Sequence, residues 1–370
     1  MAVLGSGFAG SLLATILERR GLSTVLLDRA RHPRFAVGES STPVADMILR
    51  GLARRHDLPR LAPMAAYGTW RESYPHLGVG PKRGFSYFHH VPGKPFEPRA
   101  DHANELLVAA SSDPWICDTQ WLRADVDAFL AAEAEGQGAA LLEGVELEEI
   151  GETMSGWRLT GRQGEREVEV EAAFVVDGTG PGGVLPRSLG IEPAPVPLTT
   201  CTRAIYGHFT GVPRWGDVIA AAGAAVADHP FPCDDAALHH LLDGGWLWML
   251  RFDDGRLSAG LVLDAERHPL DPSVSAEAEW AARLGRYPSL AGLFAGARLA
   301  DLPGRLIRTS RLQRLAGRAA GPTWALLPHT YGFVDPLHST GIAHSLSGVE
   351  RLAEILPAHW GRPTLAAALA

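Results

Sequence analysis

Three glycines at the start of the chain have the spacing of a dinucleotide-binding turn. Gly5, Gly7 and Gly10 separate a short apolar strand from a segment with helical apolar periodicity, which begins at Phe8 and Ala9. The first glycine allows a tight turn, the second lets the backbone approach a pyrophosphate, and the third lets the helix pack against the strand. The pyrophosphate is expected at the helix N-terminus, where unpaired N–H groups and the helix dipole favour an anion.

An acid closes the next predicted strand. Asp28 lies near the ~20-residue offset at which a carboxylate accepts hydrogen bonds from a ribose. Its neighbour Arg29 is a further candidate contact to the cofactor. A strand before the glycines, a helix after them and an acid at the end of the unit together predict dinucleotide binding, against a purely structural glycine turn.

Two further segments could carry chemistry before residue 100. Glu39 and Ser40 precede a helix predicted from about Val44 to Arg55, so Glu39 is either a capping carboxylate or a residue of a ligand-binding loop. Lys82 stands at the entrance of a predicted Phe85 to His89 strand, as a solvated charge or as an ammonium held in a cavity. Adjacent histidines on that strand would point to opposite faces, so we predict no metal site.

Later segments return to the cofactor and supply a possible substrate wall. Arg123 begins an amphipathic helix, and Asp177 ends an apolar strand that runs into a Gly-rich turn, as expected for a buried parallel strand. Trp246 and Trp248 share one face of a predicted strand, either as core or as a binding wall. Strand-like segments dominate from about 190 to 308, which predicts a mainly antiparallel substrate domain.

The last loop precedes a helix predicted from Ala343 to about Leu356. Its N–H groups would favour an anion, although Ser or Thr could simply cap the helix. The residues concerned are Asp335, His338, Ser339, Thr340, Gly341 and Ile342.

Composition excludes several classes of partner. The 370 residues carry a net charge of −8 without a block of Lys or Arg, so neither nucleic acid nor a membrane surface is an expected partner. Cys117, Cys201 and Cys233 form no CxxC pair, which favours a reducing compartment. No apolar run approaches ~18 residues and no signal peptide precedes the first strand, so we expect a cytoplasmic protein.

Taken together, the motifs resemble those of the flavin-dependent halogenases, within the FAD monooxygenases of the aromatic-hydroxylase fold. The most specific is the Phe333 to Ile342 run, Phe-Val-Asp-Pro-Leu-His-Ser-Thr-Gly-Ile, whereas GxGxxG and Asp-Gly are shared by the whole class. The resemblance implies an α/β fold with a Rossmann-like FAD-binding domain and an inserted antiparallel β domain. The implied boundaries are FAD-binding parts at 1–75, 116–189 and 309–370, and substrate-domain parts at 76–115 and 190–308.

The resemblance also implies a reaction. FAD, reduced by a separate flavin reductase, would use O2 to convert chloride or bromide to hypohalous acid. The halide would lie at Ser339, Thr340 and Gly341, and Lys82 would pass the halogen to an electron-rich aromatic natural product, free or carrier-bound. The implied FAD contacts are Gly5, Gly7, Phe8, Ala9, Gly10, Asp28, Arg29, Glu39, Ser40, Arg123, Asp177, Asp335, Gly341 and Ile342.

Four departures from the family pattern leave alternatives open. Leu250-Arg251 replaces Ile-Pro after the two tryptophans, which keeps an aromatic hydroxylase possible, and Pro328-His329 replaces a Gly-Asp, which suggests weak FAD binding or a cofactor-binding protein without chemistry. His338 replaces the glutamate of tryptophan halogenases, which favours phenol-type or polyketide-type substrates and could remove a ring proton. The sequence stops at Ala370, before the helical segment usual in the family, as expected of a trimmed form or a reduced substrate cover.

Overall fold

A computed structural model describes all 370 residues. The strands, in chain order, are β1 (Ala2–Leu4), β2 (Val25–Asp28), β3 (Val79–Lys82), β4 (Gly84–His89), β5 (Glu105–Ala109), β6 (Asp118–Trp121), β7 (Ala140–Glu143), β8 (Val145–Thr153), β9 (Gly156–Gln163), β10 (Arg166–Ala172), β11 (Val175–Asp177), β12 (Thr202–Thr210), β13 (Ala237–Leu242), β14 (Gly245–Arg251), β15 (Leu257–Asp264), β16 (Arg298–Leu299), β17 (Ile307–Arg308), β18 (Arg314–Leu315), β19 (Ala320–Gly321), β20 (Trp324–Leu326) and β21 (Gly332–Phe333).

The helices lie mostly around the first sheet and behind the second. They are α1 (Phe8–Arg19), α2 (Pro43–Arg55), α3 (Tyr67–Ser73), α4 (Arg123–Gly136), α5 (Val184–Ser188), α6 (Trp215–Ala221), α7 (Ala276–Gly285), α8 (Pro288–Phe294), α9 (Pro328–Tyr331), α10 (Gly341–His359) and α11 (Leu365–Leu369).

The first sheet carries the glycine-rich turn. Its strand order is β19-β20-β11-β1-β2-β7, and all neighbours except β19 and β20 are parallel. One face packs against α1, α4 and α10, and the other packs beneath the β8-β9-β10 sheet. Burial on both faces explains why β1 and β11 consist almost entirely of apolar residues. This is the predicted Rossmann-like unit.

The second sheet is mainly antiparallel, as predicted. Its order is β16-β12-β15-β14-β13-β4-β5, with β17 beside β12, and only β13 and β4 run parallel. One face forms a core with α6, α7 and α8. The opposite face carries a row of aromatic side chains. Strand β13 was not predicted, although it lies at the centre of this sheet.

Three local differences from the sequence prediction affect the site. Lys82 ends its own strand, β3, which pairs with β6 instead of joining β4 in the second sheet. The last long helix, α10, begins at Gly341, so Gly341 and Ile342 form its first turn. Although strand-like segments dominate 190–308, this part also contains two helices in succession, α7 and α8, and the second of these begins at Pro288.

The cysteines are free thiols, and two of them, Cys117 and Cys233, are buried. Burial raises the pKa of both thiols, that of Cys117 to about 12. Neither is therefore a ready nucleophile. No helix in the structure combines the length and the apolar character that crossing a membrane requires.

Candidate active site between the two sheets

The glycine-rich turn requires glycine for packing at two of its three positions. Gly5 has a φ of +92°, and a Cβ there would lie 2.7 Å from the Gly178 carbonyl oxygen. A Cβ at Gly10 would lie 2.1 Å from the Gly5 carbonyl oxygen. Gly7 is different, because its Cβ would face the guanidinium groups of Arg34 and Arg123 at 3.4 and 3.6 Å. Gly7 therefore adjoins a space lined by two guanidinium groups and by the Asp127 carboxylate, at 3.7 Å.

Asp28 ends β2 beside this space. Its carboxylate accepts hydrogen bonds from the Ser6 amide and hydroxyl, both at 2.9 Å, and from the Ala30 amide at 2.9 Å. Burial raises the pKa of Asp28, but the Arg34 guanidinium and these amides outweigh it and hold the pKa below its usual range. Arg29, which was predicted to contact the cofactor, is exposed and makes no hydrogen bond or ion pair within the protein.

Arg34 and Asp127 belong to the site, and the sequence did not single them out. The Arg34 guanidinium bridges Asp28 at 3.3 Å and Asp127 at 3.4 Å. Asp127 accepts the Phe8 amide at 3.1 Å and pairs with Arg123 through both of its oxygens. A charged residue four positions after Arg123, on the same face of α4, was the available signal.

Arg123 connects the glycine-rich turn to the loop before α2. Besides pairing with Asp127, its guanidinium donates to the Val37 and Gly38 carbonyl oxygens at 2.9 and 3.2 Å and lies 4.7 Å from the centre of the Phe8 ring. These contacts occupy most of its donors. Arg123 therefore positions the cofactor loop.

The Glu39 side chain is hydrogen-bonded to a residue of the second sheet. It is buried, and its Oε1 lies 2.7 Å from His208 Nε2 on β12. Thr42 caps α2 instead, so the interpretation of Glu39 as a capping carboxylate is wrong. Ser40 beside it is buried, and its hydroxyl has no hydrogen-bond partner.

The structure corrects the role of Asp177. One carboxylate oxygen accepts the Thr179 amide and hydroxyl at 2.8 and 2.6 Å, and the other accepts the Leu185 amide at 2.7 Å. Because the side chain is buried inside the turn, it shapes the Gly-rich segment and presents no free carboxylate.

The N-terminus of α10 has no side-chain cap. Thr340 is the N-cap residue but accepts no hydrogen bond with its hydroxyl, and Ser339 has a φ of +54°. The interpretation as an ordinary Ser or Thr cap is therefore wrong. Gly341 adjoins open space, since nothing lies within 4 Å of the position of a Cβ. Asp335 shapes the approach to the helix by accepting the Leu337 amide at 2.8 Å.

A neutral ring stands where an acid was expected. Burial, together with the nearby Arg314, Arg123 and His344, lowers the pKa of His329 to about 4. The His329 carbonyl oxygen accepts a hydrogen bond from Arg314. The lost acid therefore leaves a net cationic neighbourhood around α9.

Lys82 is buried at the junction of the two sheets. Its Nζ donates to the Ser41 carbonyl oxygen and lies 4.4 Å from the centre of the Phe85 ring. Burial lowers the pKa of Lys82 to about 8, although Asp118 and Asp46 oppose the shift. Lys82 is thus not the solvated strand-end charge that was one of the two alternatives.

A pair of carboxyl groups accompanies Lys82. Asp46 on α2 and Asp118 on β6 are both buried and are hydrogen-bonded to each other, and Ser41 donates to Asp46 at 3.2 Å. Burial raises both pKa values, and the proximity of Asp118 raises that of Asp46 further. Carboxyl groups this close share a proton, so the pair offers Lys82 about one negative charge near neutral pH.

An aromatic wall extends from Lys82 across the second sheet. Successive ring centres lie 4.9 to 6.3 Å apart. Burial and the nearby Lys82 lower the pKa of His239 to about 3, so its ring is neutral. The wall consists of Phe85 and Tyr87 on β4, His239 on β13, Trp246 and Trp248 on β14, and Tyr206 on β12.

Trp246 and Trp248 are half-buried and lie outside the apolar core of the second sheet, which favours a wall over a core role. Arg251, which departs from the family pattern, is anchored to Asp234 at 2.7 Å and to the Val212 carbonyl oxygen at 3.0 Å. It therefore fixes the end of β14.

His338 reaches the aromatic wall from the last loop. Its ring is exposed and lies 6.4 Å from that of Phe85, in an edge-to-face arrangement. The His338 side chain is therefore accessible and is not packed within its loop. The α10 N-terminus, His338 and Lys82 all lie around one end of the wall.

The residues along the first sheet fit an extended dinucleotide with two phosphates. The glycines keep the turn open, Asp28 stands at the ribose position, and the cations Arg34 and Arg123 face Gly7. Three buried polar atoms near this groove have no partner within the protein, namely Arg34 Nε, Ser40 Oγ and Arg314 Nε. Such orphaned groups are costly unless a ligand satisfies them.

Comparison with known proteins points to the same family that the sequence motifs resemble. No protein-family model matches the chain. It is 30% identical over 359 residues to the monodechloroaminopyrrolnitrin halogenase PrnC of Pseudomonas fluorescens, and 29% identical over 361 residues to the tetracycline 7-halogenase of Kitasatospora aureofaciens. Each alignment covers 95% of this chain, but only 60% and 62% of the relative.

The fold is also that of a solved halogenase. The structure of PltM in complex with phloroglucinol and FAD superimposes with a TM-score of 0.84 at 28% identity, covering 96% of this chain and 68% of PltM. The chain thus spans about three fifths of the length of the curated relatives it matches. With the glycine-rich turn, the uncapped α10 and the buried lysine in place, the chain is similar over nearly its whole length to flavin-dependent halogenases.

Proposed function

We propose that the protein is an FADH2- and O2-dependent halogenase that acts on an electron-rich aromatic compound. The observation that carries the proposal is the buried amine of Lys82, which contacts Phe85 at the end of the aromatic wall where His338, three residues before α10, also meets the Phe85 ring. A buried lysine is costly and needs a reason. The chain has only one other lysine, Lys94, which is exposed.

The cofactor half of the proposal rests on the groove along the first sheet. Gly5, Gly7 and Gly10 with the first turn of α1 would hold the FAD pyrophosphate, and Asp28 would accept from the ribose. Reduced FAD, supplied by a separate reductase in the cytoplasm, would with O2 provide the oxidising equivalents that convert chloride or bromide to hypohalous acid. The uncapped amides of Gly341 and Ile342, with Thr340, would hold the halide.

The substrate half rests on the aromatic wall. Trp246 and Trp248 would keep the acceptor ring away from the cofactor, and the Lys82 Nζ would receive the halogen. The amine can donate to the hypohalous oxygen when protonated, or take up the halogen when neutral. His338 would accept the proton that leaves the substituted ring. PrnC, the tetracycline halogenase and the phloroglucinol complex of PltM indicate phenol-type or pyrrole-type acceptors.

A carrier-bound acceptor is a second form of the same proposal. One relative is named 1H-pyrrole-2-carbonyl-[peptidyl-carrier protein] chlorinase, at 23% identity over 352 residues. Free and tethered pyrroles offered in parallel would distinguish the two forms.

The deciding experiment is product analysis by mass spectrometry. The protein is incubated with FAD, a flavin reductase, NADH, O2, bromide and a panel of phenols, pyrroles and indoles, with and without Lys82→Met. Halogenated phenol or pyrrole is expected, with loss of product in Lys82→Met while flavin oxidation continues, and full product in Lys94→Met. Oxygenated product formed without halide would make the protein a hydroxylase, and flavin binding without any product would contradict an enzyme.

A further inference from the structure

Two histidines and a glutamate meet at the outer edge of the second sheet, away from the aromatic wall. Glu105 is the first residue of the edge strand β5, His102 lies in the turn just before it, and His229 follows a turn after α6. Their nitrogen and oxygen ligand atoms all lie within 4.8 Å of one another. The chain separation of His229 from the other two explains why no spacing motif predicted this cluster.

Both imidazoles converge on one carboxylate oxygen. His229 Nε2 lies 3.1 Å from Glu105 Oε1, and His102 Nδ1 is hydrogen-bonded to the same oxygen. Ligands bound at about 2.1 Å to a tetrahedral zinc ion are roughly 3.4 Å apart. The three atoms therefore need only small shifts to surround a metal ion.

A second observation points to a missing ligand. Glu105 Oε2 is buried and has no hydrogen-bond partner, and the side chains of Glu105 and His229 are each only 5% exposed. Burying an unpartnered carboxylate oxygen is unfavourable, and the internal hydrogen bonds reach only Oε1. A cation bound by the carboxylate would satisfy it.

The surroundings match those of known zinc sites. Asp228 Oδ2 lies 3.6 Å from His102 Nε2, the ring nitrogen that does not face Glu105. A carboxylate behind a ligating histidine fixes its tautomer and orientation. The His102 side chain is 36% exposed, which supplies a path for the ion and for a water as fourth ligand.

We propose that His102, Glu105 and His229 bind a divalent transition metal, with Zn²⁺ as the best fit, and that Asp228 orients His102. Two nitrogens and a carboxylate suit zinc and disfavour magnesium. Binding would displace the ring protons that now face Glu105: a neutral ring would carry its proton on the other ring nitrogen, and an imidazolium would release one to solvent. Because the ion would join the 102–105 turn to the segment after α6, it would secure the edge of the sheet whose next strand, β4, carries Phe85 and Tyr87.

The test is zinc binding by the full chain after treatment with a chelator. After dialysis against micromolar Zn²⁺, metal analysis by mass spectrometry should find one zinc per chain in the wild type and in His76→Gln, which alters an exposed histidine elsewhere. His229→Gln and Glu105→Gln should lose the ion, and Asp228→Asn should bind it about 10- to 100-fold more weakly. Mg²⁺ should not compete.

A second readout does not depend on the variants folding. Co²⁺ in place of zinc should give the visible absorption of a four-coordinate nitrogen and oxygen site, without the near-ultraviolet band of a thiolate ligand. Wild-type protein that retains no zinc, zinc retained equally by His229→Gln, or a thiolate band in the cobalt form would each overturn the proposal. Circular dichroism of each variant verifies the fold.

Discussion

At the scale of single residues, the environment of Lys82 determines what its amine can do. Burial lowers its pKa to about 8, whereas the carboxyl pair of Asp46 and Asp118 raises it. A group that titrates near the operating pH can both hold and release a proton. The amine is therefore available in two forms, one as a hydrogen-bond donor and the other as a nucleophile.

The pH profile of halogenation tests this arrangement. We expect an inflection near pH 8 in kcat of the wild type. The double variant Asp46→Asn/Asp118→Asn removes the negative charge that stabilises the ammonium, so the pKa of Lys82 falls and the inflection moves to lower pH. Asp118→Asn alone leaves Asp46 free to carry that charge and should shift the inflection less. An inflection that stays in place in the double variant would contradict the assignment to Lys82.

A second prediction concerns Arg34, which the sequence analysis passed over. Because its guanidinium faces Gly7 and bridges Asp28 and Asp127, Arg34→Ala should weaken FAD binding by about 10- to 100-fold, the range for losing a charged hydrogen bond. Flavin fluorescence titration measures it. Arg54→Ala is the matched comparison, since Arg54 is exposed and unpaired near the C-terminal end of α2, and it should change affinity much less. Equal effects of the two substitutions would mean that Arg34 pairs with Asp28 and Asp127 but does not contribute to FAD binding.

The contrast between Asp28 and Arg34 shows what a sequence can reveal about single residues. Asp28 was predictable because its role depends on its offset from the glycines within one βαβ unit. Arg34 and Asp127 lie 93 positions apart in the chain and meet only through tertiary packing. The role of Asp177 was misjudged because a motif does not reveal which backbone amides fold back onto a carboxylate.

At the scale of elements, the N-terminus of α10 combines an uncapped start with open space in front of it. Among the helices of this chain, a side chain caps only α2, through Thr42, and α7, through Ser275. In α10 the donors stay free, and Gly341 leaves the space in front of them open. An element built in this way is suited to an anion.

Gly341→Ala tests whether that open space has a function. The substitution has room and should not destabilise the fold, because alanine is favoured over glycine in a helix by up to about 1 kcal/mol. Halogenation should nevertheless fall, with an increase in KM for bromide, since the added methyl group would occupy the space in front of the amides. Gly292→Ala in α8 is the control, as it also has room but lies in the other core. Unchanged KM for bromide in Gly341→Ala would place the halide elsewhere.

Helices and strands whose apolar residues recur with a clear period were predicted well, and elements without such a period were not. The helix α2 and the strand β4 were predicted to within a few residues, because each follows its own apolar period. Strand β13 was missed because His239 and His240 interrupt its apolar pattern. The pairing of β3 with β6 depends on contacts between distant segments, as between Val79 and Trp121, 42 positions apart, which local patterns do not encode.

At the scale of the whole molecule, the site exists only where the two sheets meet. The contact of Glu39 with His208 joins the cofactor loop to β12, and Phe35 and Phe252 pack against the His208 ring with centre distances of 4.9 and 5.8 Å. The backbone carbonyl oxygen of Glu39 accepts the Trp121 amide, which ties β6 and hence the Lys82 strand to the same loop. Binding of the cofactor and the position of Lys82 should therefore be coupled.

His208→Leu tests this coupling by removing the partner of Glu39 that lies on the second sheet. The substitution leaves the Glu39 carboxylate buried without its partner, which should lower the free energy of unfolding by about 3–5 kcal/mol. The loop that carries Glu39 should also shift and weaken FAD binding, although His208 itself lies on the substrate sheet. Adding Glu39→Leu should restore part of the stability, because it removes the unpaired carboxylate. Urea unfolding and flavin titration measure the two effects.

Arg203→Leu provides the control, since it breaks a buried ion pair with Glu279 that lies wholly on the substrate side. This variant should lose stability on the same scale but keep its affinity for FAD. If His208→Leu and Arg203→Leu behaved alike, loss of FAD affinity would reflect general destabilisation. If His208→Leu kept its FAD affinity, the two sheets would be independent, and the cofactor loop would owe its position to Arg123 alone.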